Sequence, residues 1–281
     1  MKLGQIRFEN KLTAAVFEGA MARPIPGYSI VELIRKAETE SVGLGELARE
    51  SASRHCETCV PAIPISPIEV WACGCTYETS AMFRDGEPGV PHGIYGHVFA
   101  SERPEIFFKG TARVCVGPGQ PIGIRFDSKF TAPEPELAVV LGRNGNILGY
   151  TLANDVSAWD IERESPLYLA QSKIYTGSCA LGPVIVTKED VADTSLLELA
   201  CTITRDGRER FSGSVSLGRF KRRIETLIEY LLRANPVPAG SVMLTGTGII
   251  VPEDAALAPG DTVSIRMAEI GELVNPAALV Q

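Results

Sequence analysis

The chain has 281 residues, of which 45% are hydrophobic and 22% are charged. A chain of this length can bury a full hydrophobic core, either as one large domain or as a large domain with a small appendage. The mean hydropathy is +0.09, but no apolar run approaches the roughly 18 residues that a membrane span requires. The net charge of −7 argues against a polyanion-binding surface, so neither a nucleic-acid partner nor a membrane partner is expected.

The cysteines and the first residues of the chain predict a cytoplasmic protein. Seven cysteines are an odd number at ordinary density, which is more typical of a reducing compartment than of a disulfide framework. The opening sequence MKLGQIRFENKLTAA lacks the apolar segment of a secretory signal peptide. Zinc is not expected at Cys56, Cys59, Cys73 and Cys75, because the one-residue spacing of the second pair is unusual for zinc.

The first 68 residues are predicted to form a small unit with both strands and helices. Apolar residues alternate on either side of Glu9-Asn10, which predicts a β-hairpin with its turn there. Ser29 followed by Glu32 is a capping-box pattern and predicts a helix over Ser29–Glu38. A second helix is predicted from Leu44 to Ser51.

A proline-rich segment marks the predicted domain boundary. Residues 61–67 contain three prolines, which is typical of a linker or an edge strand. We therefore predict a small N-terminal domain over residues 1–68 and a larger second domain over residues 69–281. In the second domain short β-branched runs are broken by Gly and Pro, which predicts an α+β fold that is mostly β. Its clearest helix is predicted over Arg219–Ala234, where the apolar stripe is a core feature.

The most informative stretch predicts a hairpin that brings three carboxylates together. Asn144-Gly145 between two apolar runs favours a type I′ turn. With those two residues as the loop, Glu134 lies opposite Asp155, and Glu136 shares the face of Glu134 because side chains alternate along a strand. Opposed Cβ atoms lie about 5 Å apart and diagonal ones about 7–8 Å apart.

Three carboxylates at that spacing require a compensating charge. At 5 Å and an effective dielectric of 20, each like-charged pair costs roughly 3 kcal/mol. Either some of the groups are protonated or a cation binds between them. Oxygen-only ligands favour Mg²⁺, Mn²⁺ or Ca²⁺ over zinc. The alternative is a hairpin face whose carboxylates point into water, since hairpin register can slip by one residue.

Several motifs in order resemble the catalytic domain of the fumarylacetoacetate hydrolase superfamily. They are PEPELAVVLG, GYTLANDVSAWDIE, ALGPVIV, LTGTG and LAPGDTVSIRMAEIGELVNP, and the resemblance covers Val70 to Pro276. It implies a mixed β-roll or barrel-like catalytic domain, usually dimeric or of higher homo-oligomeric order. It also implies Mg²⁺ or Mn²⁺ on two glutamates and an aspartate, which fall on Glu134, Glu136 and Asp155.

Within the superfamily, the chain departs from the hydrolytic members. Those members carry a motif resembling NYxxHA, whose histidine helps to activate water, and here Ser80 stands at that position. A Ser hydroxyl without a partner is a poor base. The segments TYETSAMFR, ERPEIFFKG, LTGTGIIVP and residues 161–183 are instead similar to the 2-keto-3-deoxy sugar-acid dehydratases, including those that act on 2-keto-3-deoxy-arabinonate. The resemblance thus implies a metal-dependent lyase that removes water from a 2-oxo acid through a metal-stabilised enolate.

The resemblance also assigns candidate roles. Lys173 is the candidate base, since a buried lysine beside a dication can have a lowered pKa. Either Ser80 or Glu102 donates a proton to the leaving hydroxyl, and the choice between them stays open. Glu162 holds a metal-bound water or caps a helix. The candidate substrate contacts are Thr247 with the adjacent Gly246, Arg84, Lys109 and Tyr77. Independently of the resemblance, His92 and His97 are further candidates because they lie in a loop-like stretch rich in Gly and Pro.

Two alternatives remain open at this point. One is a hydrolase that cleaves a carbon–carbon bond of an acylpyruvate, with Glu102 or His97 activating water. The other is a metal-binding dimer without catalytic activity. The segment Met82 to Tyr95 is glycine-rich, and if it is a lid, the choice of substrate differs from that of the relatives.

Overall fold

The structure, a computed structural model, describes residues 1–86 and 93–281. Strands dominate it, as the short β-branched runs predict. The strands are β1 (Lys2–Phe8), β2 (Lys11–Glu18), β3 (Met21–Ile25), β4 (Glu57–Thr58), β5 (Val70–Gly74), β6 (Glu105–Gly110), β7 (Cys115–Val116), β8 (Ile122–Arg125), β9 (Thr131–Ala132), β10 (Pro135–Leu141), β11 (Ile147–Asp155), β12 (Ser157–Ala158), β13 (Cys179–Thr187), β14 (Glu198–Arg205), β15 (Arg208–Ser216), β16 (Ser241–Leu244), β17 (Thr262–Met267) and β18 (Gly271–Val280).

The described helices are short, with 5 to 11 residues each. None in the described part of the chain has the length and hydropathy that crossing a membrane requires. They are α1 (Ile30–Glu40), α2 (Leu44–Ser51), α3 (Glu78–Asp85), α4 (Ile94–Ala100), α5 (Trp159–Glu164), α6 (Leu169–Lys173) and α7 (Ile224–Leu232).

The described strands form two large open sheets and one small one. The large sheet has the order β4-β3-β2-β1-β13-β11-β10-β16-β5-β6, with β7 beside β13. A second sheet has the order β15-β14-β17-β18-β8, and β9 pairs with β12. The mixed, mostly β architecture is thus confirmed. Because both strand orders are linear, the described strands do not close into a barrel.

Strand β10 is buried on both faces because the large sheet lies between two layers. Leu137 and Val139 point into a core shared with the second sheet. Ala138 and Val140, on the opposite face, pack in a core that includes residues of α1 and α2. Side chains alternate along a strand. Residue 134, just before β10, and residue 136, near its start, therefore belong to the same face as Ala138 and Val140, the face that packs against α1 and α2.

The local predictions for the first residues are confirmed. Strands β1 and β2 pair up to Phe8 opposite Lys11, which leaves Glu9 and Asn10 as the turn. Helix α1 begins after Ser29, whose hydroxyl accepts the Glu32 N–H while the Glu32 side chain accepts the Ser29 N–H. This capping box satisfies N–H groups that have no partner within the helix. The second predicted helix is α2.

The large sheet runs across the predicted domain boundary. Strand β1 pairs with β13, with Lys2 opposite Val186. Ile30 and Leu33 of α1 share a buried core with residues of β10 and β16. The hydrogen-bonded sheet is therefore continuous across residue 68. The division of the chain into two domains at that residue stays a prediction.

The predicted helix over Arg219–Ala234 is shorter at both ends. Helix α7 spans Ile224–Leu232, and Leu217–Arg219 form a separate 3₁₀ turn. Between them the Lys221 N–H donates to the Thr76 carbonyl at 2.9 Å, so this backbone bonds to another segment instead of continuing a helix. The predicted apolar stripe is buried at Ile224 and at the positions that follow it along the same face.

The Ser29 cap leads to a stability prediction. Ser29→Ala removes the acceptor at the start of α1 and is expected to lower the free energy of unfolding by about 1 kcal/mol. For a chain of this size that corresponds to a fall in Tm of about 2 °C. Thermal unfolding followed by circular dichroism checks it, with Ser212→Ala on an exposed strand position as the control. An unchanged Tm for Ser29→Ala would show that the cap is not needed.

Candidate metal centre and active site

The hairpin of β10 and β11 has the predicted turn and, at the site, the predicted register. Asn144 and Gly145 both have positive φ, and the Asn146 N–H donates to the Arg143 carbonyl at 3.2 Å, as in a type I′ turn. A bulge interrupts the ladder near the turn. Beyond it the pairing returns to the predicted register, and the Asp155 N–H donates to the Glu134 carbonyl at 2.9 Å.

The three predicted carboxylates converge in the interior. Glu134, Glu136 and Asp155 are 4%, 1% and 1% exposed, and each offers an oxygen within 4.8 Å of the others. In an octahedral shell with bonds of about 2.1 Å, neighbouring and opposite oxygens are about 3 and 4.2 Å apart. The spacing and the oxygen-only donor set therefore fit Mg²⁺ or a similar hard divalent ion. The alternative of carboxylates pointing into water is wrong.

The charge balance around the cluster also fits a divalent ion. Two further carboxyl groups line the cavity beside it, those of Glu105 and Glu162. The cationic groups in contact with these five acids are Lys173, Arg84 and Lys109. Burial first, then the charges of Asp155 and Glu134, raise the pKa of Glu136 well above its usual range. The buried acids outnumber the buried cations, so a dication bound among them would offset the excess of negative charge.

Lys173 lies at the carboxyl end of α6 with its amine against the cluster. Its Nζ is 3.0 Å from Glu134 Oε2 and 3.2 Å from Asp155 Oδ2, and it donates to Ser157 Oγ at 2.6 Å. Burial alone would lower the pKa of Lys173, but the charges of Asp155, Glu134 and Glu162 raise it above its ordinary value. The amine is therefore protonated as long as those carboxylates keep their negative charge.

Arg84 lies on α3 and connects the cluster to α5. Its Nη2 donates to Glu134 Oε1 at 2.9 Å and its Nη1 to Glu162 Oε1. The guanidinium lies 5.0 Å from the ring centre of Trp159 and 5.5 Å from that of Tyr95. Two cation–π contacts and two charge-assisted hydrogen bonds fix this side chain at the edge of the cavity.

The loop after β16 forms another wall of the site. The Gly246 N–H donates to Glu136 Oε2. A Cβ at Gly246 would lie 2.1 Å from Thr76 Oγ1, and its φ is +93°, so only glycine fits there. Thr247 lines the cavity, and its hydroxyl accepts the Ile249 N–H at 3.2 Å. Gly246 therefore contacts a predicted metal ligand, while Thr247 is the member of the pair that faces the substrate space.

Two adjoining cavities define the space for a substrate. The inner one, about 20 Å³, holds about one water molecule and is lined by Ser80, Arg84, Lys173 and Thr247 among others. The outer one, about 480 Å³, lies between α4 and α5–α6. A larger groove of about 850 Å³ lies between α1–α2 and residues 187–194, but it contains none of the clustered carboxylates. The chemistry therefore assigns the site to the inner cavity.

Glu105 is a cavity residue that the sequence analysis did not single out. It begins β6 opposite Gly74 of β5, and a Cβ at Gly74 would lie 2.1 Å from its Oε2. The Cys75 thiol donates to the same oxygen at 3.4 Å. Burial first, then the charge of Glu162, raise the pKa of Glu105. The only local signal is a glycine in an otherwise apolar strand, which marks a close approach by another group.

The structure does not bring every predicted residue to the cavity. Glu102 is exposed and accepts the Tyr230 hydroxyl at 2.8 Å. The ring of Tyr77 is buried against Phe220 at 4.7 Å between ring centres, away from the cavity lining. Lys109 is fully buried with its Nζ 2.5 Å from Asp155 Oδ1, so it supports a carboxylate and does not face a substrate. These placements differ from the predicted contacts because each side chain follows a packing partner distant in sequence.

Of the two predicted loop histidines, the structure describes one. His97 lies on α4 and lines the outer cavity, and His92 lies outside the described residues. Among the described residues that line the inner cavity, none is a histidine. Glu162 lines both cavities, and its Oε2 is 4.0 Å from Lys173 Nζ.

Comparison with known proteins identifies the family of the chain and its similarity to a dehydratase. The sequence profile of the family described as fumarylacetoacetate (FAA) hydrolase C-terminal matches residues 96–278, and the chain therefore belongs to this family. A 2-dehydro-3-deoxy-D-arabinonate dehydratase from Saccharolobus solfataricus is 49% identical over 217 residues, which are 76% of this chain and 72% of the relative.

Two further similarities point the same way. A probable 2-keto-3-deoxyxylonate dehydratase from Haloferax volcanii is 43% identical over 218 residues, which are 78% of this chain and 75% of the relative. The solved structure of a 2-keto-3-deoxy-D-arabinonate dehydratase, complexed with magnesium and 2,5-dioxopentanoate, has a TM-score of 0.83 and 38% identity over all of both chains. Sequence and fold thus place the chain beside the dehydratases of the family.

Proposed function

We propose that this protein is a divalent-metal-dependent dehydratase, a hydro-lyase that removes water from a 2-keto-3-deoxy sugar acid. The observation that carries the proposal is one cavity lined by Lys173, Glu105 and two carboxylates of the buried cluster. A base, an acid and a hard-cation site in one cavity are what the elimination of water beside a carbonyl requires. The similarity to named dehydratases supports the same reaction class.

The reaction balances without an oxidant or a second substrate. One C3–H bond and the C4–O bond of the sugar acid break, and the proton and the hydroxide leave together as water. For a 2-keto-3-deoxypentonate, further proton shifts convert the C5 alcohol to an aldehyde, so that the product is 2,5-dioxopentanoate. This is the compound bound to the similar dehydratase structure. No carbon–carbon bond breaks.

The three carboxylates Glu134, Glu136 and Asp155 hold the metal ion in this proposal. When bound, a divalent ion supplies the positive charge that stabilises the developing negative charge of a 2-oxo acid. Magnesium fits the oxygen donors and is present in the similar dehydratase. Neutralising Glu134 and Asp155 removes the charges that raise the pKa of Lys173, so its amine can lose a proton and act as the base at C3.

Glu105 donates the proton that the leaving hydroxyl needs. Its raised pKa keeps it protonated to higher pH than an ordinary glutamate, which suits a general acid. Ser80 lines the same cavity, but a hydroxyl is a much weaker acid than a carboxyl group, so its part is to bind the substrate. Arg84 and Thr247 are placed to hold the substrate carboxylate or its hydroxyls.

The placement of its candidate bases argues against the hydrolase alternative. It needs a base that activates water, and its candidates Glu102 and His97 lie outside the inner cavity, Glu102 at the surface and His97 in the outer cavity. The homo-oligomeric state, the cytoplasmic location and the absence of nucleic-acid and membrane partners stay predictions. The partner that the site supports is a small 2-oxo acid.

The test is to incubate the protein with Mg²⁺ and a panel of 2-keto-3-deoxy pentonates, hexonates and acylpyruvates, with products identified by mass spectrometry. We expect a sugar acid to lose one water, and EDTA to abolish the loss. Asp155→Asn serves as a metal-site variant, and we expect Mg²⁺ to raise the Tm of the wild type but not of the variant. Release of pyruvate would contradict the proposal, and Mg²⁺ binding without turnover of any compound would favour a non-catalytic protein.

A further inference from the structure

Helix α4 lines the outer cavity, yet little core packing holds it. It has seven residues, and none of them is buried. Isolated helices of this length are marginal in water. Its Tyr95 lines both cavities, so a displacement of the helix would change the lining of both.

The amino end of α4 is held by a carboxylate from the preceding helix. Asp85, the last residue of α3, accepts the Tyr95 N–H at 2.9 Å and the Gly96 N–H at 2.7 Å. A Cβ at Gly96 would lie 2.6 Å from Asp85 Oδ2, so glycine permits this close approach. A negative charge at a helix amino end is stabilising because it satisfies free N–H groups and complements the helix dipole.

The carboxyl end of α4 is held by an arginine from a distant segment. Arg222 Nη2 donates to the carbonyls of Val98 and Phe99, each at 3.2 Å, and to that of Ser101. Its positive charge complements the carboxyl end of the helix. The neighbouring Lys221 lies 5.0 Å from the ring centre of Phe99.

One anchor belongs to a helix that lines the inner cavity, and the other belongs to a segment bonded to residues next to that cavity. Helix α3, which ends at Asp85, carries Ser80 and Arg84. The backbone beside Arg222 is bonded to Thr76 through the Lys221 N–H, and Thr76 lies against Gly246. Between the anchors, the Tyr95 ring lies 5.5 Å from the Arg84 guanidinium.

We propose that Asp85 and Arg222 are positioning residues that hold α4 by its two ends and so keep Tyr95 against Arg84. They act through the helix and do not contact the reacting atoms. Without one anchor, the fraction of molecules with α4 in place falls, and the apparent affinity for substrate falls by the same factor. The rate of the chemical step, once the site has closed, is unchanged.

The experiment compares Asp85→Asn and Arg222→Gln with matched controls. Arg223→Gln is the control for Arg222, since Arg223 is 81% exposed and pairs with Glu225. Asp193→Asn is the control for Asp85, since Asp193 also accepts a backbone N–H, that of Ser195, at an exposed position. Arg222→Lys is a conservative variant that keeps the charge but lacks the planar fork.

We expect hydrogen exchange of residues 94–101 to accelerate by about 10-fold or more in Asp85→Asn and Arg222→Gln. This is the effect expected when one charge-assisted hydrogen bond is lost. Exchange in β10 and β11 should not change. KM should rise in proportion to the fall in the fraction of molecules with α4 in place, with kcat and Mg²⁺ affinity at the wild-type values. Arg222→Lys should recover part of the protection, and both controls should match the wild type.

Two results would overturn the proposal. Wild-type exchange over residues 94–101 together with wild-type KM in both variants would show that neither anchor matters. Equal loss of protection in β10–β11, or loss of Mg²⁺ affinity, would show that the contacts serve the fold as a whole. The kinetic readout rests on the proposed dehydration, whereas the exchange readout does not, so an inactive wild type would leave the exchange data decisive.

Discussion

Replacing Lys173 with Met is expected to lower kcat by about 10³-fold, the contribution typical of a general base, without loss of Mg²⁺ affinity. Methionine fills a similar volume but has no amine to accept the C3 proton. The amine lies 3.0 Å from Glu134 Oε2 and 3.2 Å from Asp155 Oδ2. Because the lysine competes with a metal ion for these oxygens, its removal leaves the affinity for Mg²⁺ unchanged or higher.

The measurement combines initial rates of water loss with calorimetric titration of Mg²⁺. Lys129→Met, a substitution of the same type at an exposed position, is the control and should behave as the wild type. A Lys173→Met variant that keeps more than about a tenth of the activity would exclude a role as the base. Loss of both activity and Mg²⁺ affinity would instead indicate that Lys173 holds the carboxylates in place.

Replacing Glu105 with Gln is expected to lower kcat by about 10²-fold or more, since the leaving hydroxyl then lacks its proton donor. The matched control is Glu102→Gln, three residues earlier in the chain. Glu102 is exposed and bonded to Tyr230, so this variant should keep the wild-type rate. A loss of activity in Glu102→Gln, with Glu105→Gln unimpaired, would reverse the assignment.

The pH dependence of the wild-type activity follows from the carboxyl group of Glu105. Burial and the charge of Glu162 raise the pKa of Glu105, and a proton donor works only while it is protonated. On the alkaline side, activity should therefore fall as the pH rises through that raised pKa. A profile of kcat against pH measures this alkaline limb, which should be absent from the residual activity of Glu105→Gln.

The metal centre is the part of the site that sequence reasoning located most directly. An Asn-Gly turn defines which residues of a hairpin face each other, and the two-residue period of a strand then puts Glu134 and Glu136 on one face. The three carboxylates lie within 22 residues of one another, from 134 to 155. Even a bulge near the turn does not displace them, because the pairing recovers before it reaches the site.

The acid and the supporting residues depend on contacts between distant segments. Glu102 and Glu105 stand in one short motif, and nothing local says which of them faces the cavity. Strand β6 pairs with β5, some thirty positions earlier, and Gly74 leaves the space that Glu105 fills. Lys109 likewise contacts Asp155, a residue far from it in the sequence.

The amino-acid sequence by itself determined the short-range features of this protein. These are the capped helix α1, the hairpin turns and the convergence of three carboxylates, which depend on turn chemistry and side-chain period within a few residues. Only the tertiary structure decided that β1 joins β13 in one sheet, that Tyr77 packs in the core, and that Glu105 lines the cavity. Pairing between strands far apart in the chain is set by burial against the other layers of the fold, which no local pattern contains.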